Sequence, residues 1–153
     1  MDLIIIIFLL GGLFLGWSLG ANDAANVFGT AVGTRMVKFK TAALVCSVFV
    51  ILGAIISGAG TTETLGKLGA INALPGAFAA CVAAGLSVYI MTKFGLPVST
   101  TQAIVGAIVG WNIYTGYSIN IKILFTILAT WVLCPIIAAL IAMVFFIFTK
   151  QIL

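Results

Sequence analysis

The chain has no histidine and very few charged residues of either sign. Of its 153 residues, 7% are charged and 63% are hydrophobic, whereas a typical soluble domain carries about 25% charged residues. A chain of this length leaves a large share of its surface exposed after folding, so it cannot hide this much apolar surface from water. The composition therefore excludes a soluble fold. The lack of histidine also removes the commonest metal ligand and the usual general base near neutral pH.

Several functional classes are excluded by what is missing. No basic cluster carries interleaved aromatic residues, so nucleic acid is not an expected partner. The sequence contains no Gly-x-x-x-x-Gly-Lys-Ser/Thr loop for nucleotides and no His-Glu-x-x-His motif. Ser99 has no histidine partner for nucleophilic catalysis. We therefore do not expect an enzyme.

Long apolar runs predict an all-α polytopic membrane protein. The runs cover residues 3–34 with a polar extension at their end, 41–60, 73–110 and 121–149. At a rise of about 1.5 Å per residue, the last run is long enough to cross the bilayer tilted, or kinked at Pro135.

Residues 95–110 form an apolar stretch that is too short to cross the bilayer as a full helix. Gly95 and Pro97 at its start prevent an uninterrupted helix. We therefore predict a half-helix that begins inside the membrane and pairs with residues 73–92 as a re-entrant hairpin. Non-helical backbone at this depth is tolerated only where protein or a water-filled cavity lines it. The turn of the hairpin should thus face the polar stretch 22–34 inside a bundle.

The basic residues predict the orientation. Arg35, Lys38 and Lys40 form the densest basic cluster, and such clusters lie on the cytoplasmic side. The N-terminus and a loop around Glu63 are then outside, and the end at Leu153 is cytoplasmic. A multi-pass cell-membrane chain that starts on one side and ends on the other has the topology of one half of an inverted repeat.

The first polar group at membrane depth consists of Asn22, Asp23 and Asn26. Their spacing places all three side chains on one side of a helix, a face that Gly29 and Thr30 extend. An ionised aspartate at mid-helix costs on the order of 2.5–3.5 kcal/mol to insert, and the usual compensation is a partner or an ion pathway. Carboxylate and amide oxygens suit a hard cation such as Na⁺. A purely structural cluster of interhelix hydrogen bonds is the alternative.

The second polar group, Ser99, Thr100 and Thr101, follows Pro97 at the predicted start of the half-helix. Free amides and the helix dipole at a helix N-terminus attract anions, and neighbouring hydroxyls complete an anion cradle. An ordinary N-cap by Ser99 or Thr100 is the alternative. A carboxylate and an oxyanion held together repel, so the pair needs a shared proton or a bridging cation. The residues thus suggest a cation-coupled carrier for a tetrahedral oxyanion.

Two motifs carry a resemblance to a known family. Residues 20–33, GANDAANVFGTAVG, resemble the first signature of the inorganic phosphate transporter (PiT) family, and residues 95–106, GLPVSTTQAIVG, are similar to the second. The resemblance covers essentially the whole chain. It implies a secondary active transporter that imports phosphate with Na⁺, or with H⁺ in some members. The fold that it implies has two inverted repeats, each with a re-entrant hairpin, assembled as a dimer.

The resemblance also assigns roles by position. The residues that would coordinate Na⁺ are Asn22, Asp23 and Asn26. The residues that would hold phosphate are Asp23, Ser99, Thr100 and Thr101. The residues that would line the site nearby are Gly29, Thr30, Gln102 and Gly106.

The sequence departs from the family pattern in two ways. Gln102 stands where many relatives have histidine, which favours Na⁺ over a proton as the coupling ion. Each signature occurs once, whereas the family needs both twice. Residues 1–153 are therefore expected to form one repeat that pairs with a second repeat, in the same gene product or in a separate chain. A proton-coupled phosphate permease, a permease for a related oxyanion such as sulfate, and a passive pore or structural membrane subunit remain alternatives.

Overall fold

A computed structural model describes residues 3–69 and 74–152. Within these ranges the chain is all α-helical and has no strand. The helices are α1 (Leu3–Gly33), α2 (Phe39–Leu68), α3 (Leu74–Lys93), α4 (Thr100–Thr115) and α5 (Ile121–Ile152). All of them except α4 are long and apolar enough to cross a membrane. The predicted all-α polytopic membrane fold is therefore confirmed.

The chain contains two compact units, Met1–Ile119 and Asn120–Leu153. The second unit holds the single helix α5, which continues through Pro135. The first unit holds the other four helices and both polar motifs. Most large hydrophobic side chains of the long helices are exposed, as expected of surfaces whose solvent is lipid.

Several helix bounds differ from those expected. Helix α2 continues to Leu68, so Glu63 lies within a helix, where its carboxylate contacts Lys67 one turn later, and the expectation of a loop there is wrong. Helix α4 also continues past residue 110, to Thr115, and ends where Gly116 takes the left-handed conformation with φ 74°. Ala73, the expected start of the hairpin, lies outside the described residues.

Helices α1 and α3 pack side by side in parallel. The rings of Phe8 and Phe78 lie 5.7 Å apart, and further along both helices the rings of Trp17 and Tyr89 lie 5.6 Å apart. Helix α3 ends at Lys93, whereas α1 continues well beyond this point. The last turns of α1 therefore extend past the end of α3.

Helices α3 and α4 form an antiparallel hairpin. Near its open end, a Cβ added to Gly76 would lie 2.8 Å from Nε1 of Trp111. Near its turn, Val88 and Ala103 line the same cavity. An antiparallel bridge joins Gly69 to Ile119. The hairpin of α3 and α4 therefore starts and finishes at the same end of the first unit.

We expect Gly11→Ala to destabilise the first unit because α1 and α3 are in close contact there. A Cβ at this position would lie 2.7 Å from Cδ2 of Phe78 and 3.2 Å from its backbone oxygen. Overpacking of this kind costs about 1–3 kcal/mol. The measurement is the thermal unfolding midpoint in detergent. Gly12→Ala is the matched control, since a Cβ there meets nothing within 4 Å, and an equal midpoint for the two variants would contradict this packing.

Candidate functional site

The first polar group lies on helix α1, and part of it is buried where α1 packs against α3. Gly11, Ser18 and Asn22 are the buried residues of α1, and their spacing places them on the face that packs against α3. Asn22 is only 3% exposed. Asp23 is half-buried and Asn26 is exposed. The polar group therefore runs from the packed interface to an open surface.

Asn22 is held on both sides by hydrogen bonds. Its Nδ2 donates to Oγ1 of Thr92, at the end of α3, over 3.0 Å. Its Oδ1 accepts from Nδ2 of Asn26, one turn later in α1, also over 3.0 Å. A buried amide with both ends bonded keeps one orientation. The two asparagines and Thr92 thus form a fixed polar chain across the α1–α3 interface.

The turn of the hairpin begins helix α4 as the sequence predicts. Gly95 adopts the left-handed conformation with φ 69°, which glycine tolerates without strain. Ser99 is the N-cap, and its Oγ accepts a hydrogen bond from the backbone N–H of Gln102 over 3.3 Å. An N-cap satisfies only one of the orphan amides of the first turn. The amides of Thr100 and Thr101 therefore remain donors at the positive end of the helix dipole.

The two motifs meet at Asp23 and Thr100. Oγ1 of Thr100 donates to Oδ2 of Asp23 over 3.1 Å, and Thr100 is 7% exposed. The contact joins residues that are 77 positions apart in the chain. A carboxylate thus lies directly at the N-terminus of α4. The two polar stretches therefore meet at this pair, as expected, whereas their position inside a bundle stays a prediction.

The other expected site residues take no part in this contact. Among the described residues, no hydrogen bond links any of them to Asp23 or Thr100. The exposed members of the set are Gly29, Thr30, Ser99, Thr101, Gln102 and Gly106. Their assigned roles stay predictions.

A cavity of about 320 Å³ lies beside the hairpin turn. Ser87, Val88 and Met91 line it from α3, and Ser99 and Gln102 are among the residues that line it from the turn and α4. Asp23 and Thr100 are not among its lining residues. The cavity therefore adjoins the N-cap of α4.

Two polar residues at the site were missed by the sequence analysis. Thr92 belongs to no motif, and only the packing of α3 against α1 reveals its contact with Asn22. Ser18 lies one turn before Asn22, so the four-residue spacing of Ser18, Asn22 and Asn26 was a usable signal. Ser18 is 2% exposed, and its Oγ has no hydrogen-bond partner. It lines a small cavity of about 120 Å³ that Thr92 and Lys93 also line.

Comparison with known proteins adds independent evidence. The profile of the phosphate transporter family matches residues 19–153. The chain is 40% identical to a Thermococcus kodakarensis protein that is provisionally named as a phosphate permease, over 99% of the chain and 40% of that protein. It is 32% identical, over 88% of the chain and 25% of the other protein, to the inorganic phosphate transporter 2-1, chloroplastic, of Arabidopsis thaliana. No solved structure is significantly similar.

The match covers only part of the length of these relatives. The chain spans about 40% of the length of the first of these relatives. The region matched by the family profile contains both polar motifs, and hence the contact between Asp23 and Thr100. The chain therefore belongs to the phosphate transporter family.

Proposed function

We propose that the chain is one repeat of a secondary active transporter that imports inorganic phosphate together with Na⁺ by alternating access, and that it is not an enzyme. The hydrogen bond between Thr100 and Asp23 carries this proposal. It places an anionic side chain at a helix N-terminus suited to an oxyanion. Membership of the phosphate transporter family supports phosphate as that oxyanion.

The carboxylate of Asp23 needs a cation if phosphate is to bind beside it. Two unit charges of the same sign repel by about 4 kcal/mol at 4 Å and an effective dielectric constant of 20. A sodium ion bound by Asp23 and the amide oxygens of Asn22 and Asn26 would remove this repulsion. Gln102 cannot carry a proton as histidine does, so Na⁺ is a better candidate for the coupling ion than a proton.

Phosphate oxygens would then accept hydrogen bonds from the first turn of α4. The donors are the backbone amides of the turn and the hydroxyls of Ser99, Thr100 and Thr101. The hydroxyl of Thr100 has a single proton, and in this structure it donates that proton in a hydrogen bond to Asp23. Sodium bound to Asp23 would compete for that carboxylate and release the Thr100 hydroxyl for phosphate. Cation binding thereby prepares the anion site.

The relative lengths of the helices support a re-entrant hairpin. The hairpin turn lies level with Asn22, since Thr92 bonds to that residue. From Asp23 to Gly33, α1 extends about 15 Å further at 1.5 Å per residue. With Arg35 at the cytoplasmic headgroups, the turn would lie about halfway across a hydrocarbon core of about 30 Å. This supports a hairpin that enters and leaves from outside, with the N-terminus outside as well.

The exposed polar side chains of the site support a second repeat as partner. Asn26, Thr101 and Gln102 are exposed, and polar groups at this depth face a bundle interior or a water-filled cavity rather than lipid. We therefore propose that a second repeat with the same two motifs covers this side, and that the assembly is a dimer in the cell membrane with the Leu153 end cytoplasmic. The chain together with its second repeat is called the complete transporter below.

The test of this proposal is uptake of radiolabelled phosphate by proteoliposomes that contain the complete transporter. An inward Na⁺ gradient should drive saturable accumulation, and replacing Na⁺ by choline should abolish it. A tenfold excess of sulfate should compete weakly, because sulfate has no proton to donate to a carboxylate. Uptake indifferent to Na⁺, uptake driven by a pH gradient alone, or a conductance far above carrier turnover would each contradict the proposal.

A further inference from the structure

The direction of the hydrogen bonds at Thr92 is fixed by chemistry. Its hydroxyl has one proton, and Oγ1 lies 2.8 Å from the backbone oxygen of Val88. A carbonyl oxygen can only accept, so the proton goes to Val88. The 3.0 Å contact with Asn22 must therefore be one in which Thr92 accepts from Nδ2.

This direction determines which end of the Asn22 amide faces the proposed cation site. With Nδ2 committed to Thr92, Oδ1 points away from α3 and accepts from Asn26. An amide oxygen has two lone pairs, so Oδ1 retains one for a cation. In the flipped orientation, the amide would present N–H donors there and repel the ion. Asn26 is oriented in the same way, because its Nδ2 donates to Asn22 and its own oxygen is left for another partner.

The anchor of this chain of hydrogen bonds is rigid. Val88 is fully buried in α3, and Asn22 is 3% exposed. Thr92 and Thr100 flank the hairpin turn, and each bonds to one of two consecutive residues of α1, Asn22 and Asp23. The same turn thus holds the proposed cation ligands and begins the helix that would bind the anion.

We infer that Thr92 is a positioning residue of the sodium site, which fixes the Asn22 amide so that its oxygen faces the ion. The inference rests on the proposed function, since it assumes sodium at Asn22 and Asp23. Thr92 itself does not contact the ion. Its hydroxyl acts through Asn22, and the side chain needs only an acceptor oxygen and a proton for Val88.

The test is Thr92→Val, which keeps the branched shape and removes the hydroxyl. We expect the Na⁺ concentration for half-maximal uptake to rise about tenfold at saturating phosphate, as losing one half-buried hydrogen-bond acceptor predicts. At saturating Na⁺, the KM for phosphate and the maximal rate per folded transporter should change less than about twofold. Thr92→Ser, which restores the hydroxyl, should return the Na⁺ dependence to near that of the unmodified protein.

Thr64→Val is the matched control. The Thr64 hydroxyl also bonds to the carbonyl four residues earlier, but it is exposed on α2, so its loss should leave the Na⁺ dependence unchanged. Half-saturation does not depend on the amount of folded transporter, and Thr92→Ala repeats the test if valine packs poorly. An unchanged Na⁺ dependence in both hydroxyl-free variants, or an equal shift in Thr92→Ser, would overturn the inference. Unmodified transporter that ignores Na⁺ would instead refute the proposed function.

Discussion

Asp23→Asn is expected to reduce Na⁺-driven phosphate uptake by at least about 30-fold. Asparagine has nearly the same shape as aspartate, and its Oδ1 can still accept the hydrogen bond from Thr100. The variant therefore removes the negative charge and little else. Loss of one member of a close, partly buried charge pair typically costs about 2–5 kcal/mol, and each 1.4 kcal/mol corresponds to a factor of ten.

The measurement is the initial rate of radiolabelled phosphate uptake per folded complete transporter, with and without a Na⁺ gradient. Glu63→Gln is the matched control, because it removes an equal charge from an exposed helix position where the carboxylate pairs with Lys67. We expect this control to retain full Na⁺-dependent uptake. Normal uptake by Asp23→Asn would show that the transporter does not need the carboxylate, and the proposed cation site would be wrong.

Thr100→Val is expected to reduce uptake by about 10- to 100-fold. The substitution removes the hydroxyl that donates to Asp23 and that would donate to phosphate once Na⁺ is bound. Hydrogen bonds to charged groups contribute about 1.5–3 kcal/mol each, which gives this range. Thr100→Ser keeps the hydroxyl and should stay within about threefold of the unmodified transporter.

The competition for the Thr100 proton also predicts how the two substrates influence each other. Raising the Na⁺ concentration should lower the KM for phosphate in the unmodified transporter, and this effect should be weaker in Thr100→Val. Thr115→Val is the control at the other end of α4, where the hydroxyl donates to the backbone oxygen of Trp111. If Thr115→Val and Thr100→Val lower uptake equally, the hydroxyl of Thr100 has no special role.

The sequence was most informative where the signal is local. Pro97 interrupts the helix and Ser99 caps the next one, so the start of α4 followed from a few neighbouring residues. The polar group of α1 could likewise be read from helical spacing. The end of α2 could not be predicted in this way. Its last turns are polar and contain Glu63 and Lys67, and hydrophobicity alone predicts a loop there. A helix does not need to stop where its apolar residues do, since its backbone hydrogen bonds are internal.

Contacts between helices were less predictable. The bond between Asn22 and Thr92 depends on the register of α1 against α3, and nothing in the local sequence sets that register. One close approach of α1 and α3 occurs at Gly11, where the ring of Phe78 fills the space that a side chain would need. Thr30 and Thr101 are exposed, so contacts among the described residues do not define their roles.

A structure of the complete transporter, determined by electron cryomicroscopy in Na⁺ and phosphate, tests the central claim most directly. The account predicts phosphate within hydrogen-bond distance of the first amides of α4 and of Thr100. It also predicts a sodium ion between phosphate and Asp23, with the Asn22 oxygen directed to the ion. Phosphate found away from Asp23 and Thr100, or held by the ammonium group of Lys93 without a neighbouring sodium ion, would contradict it.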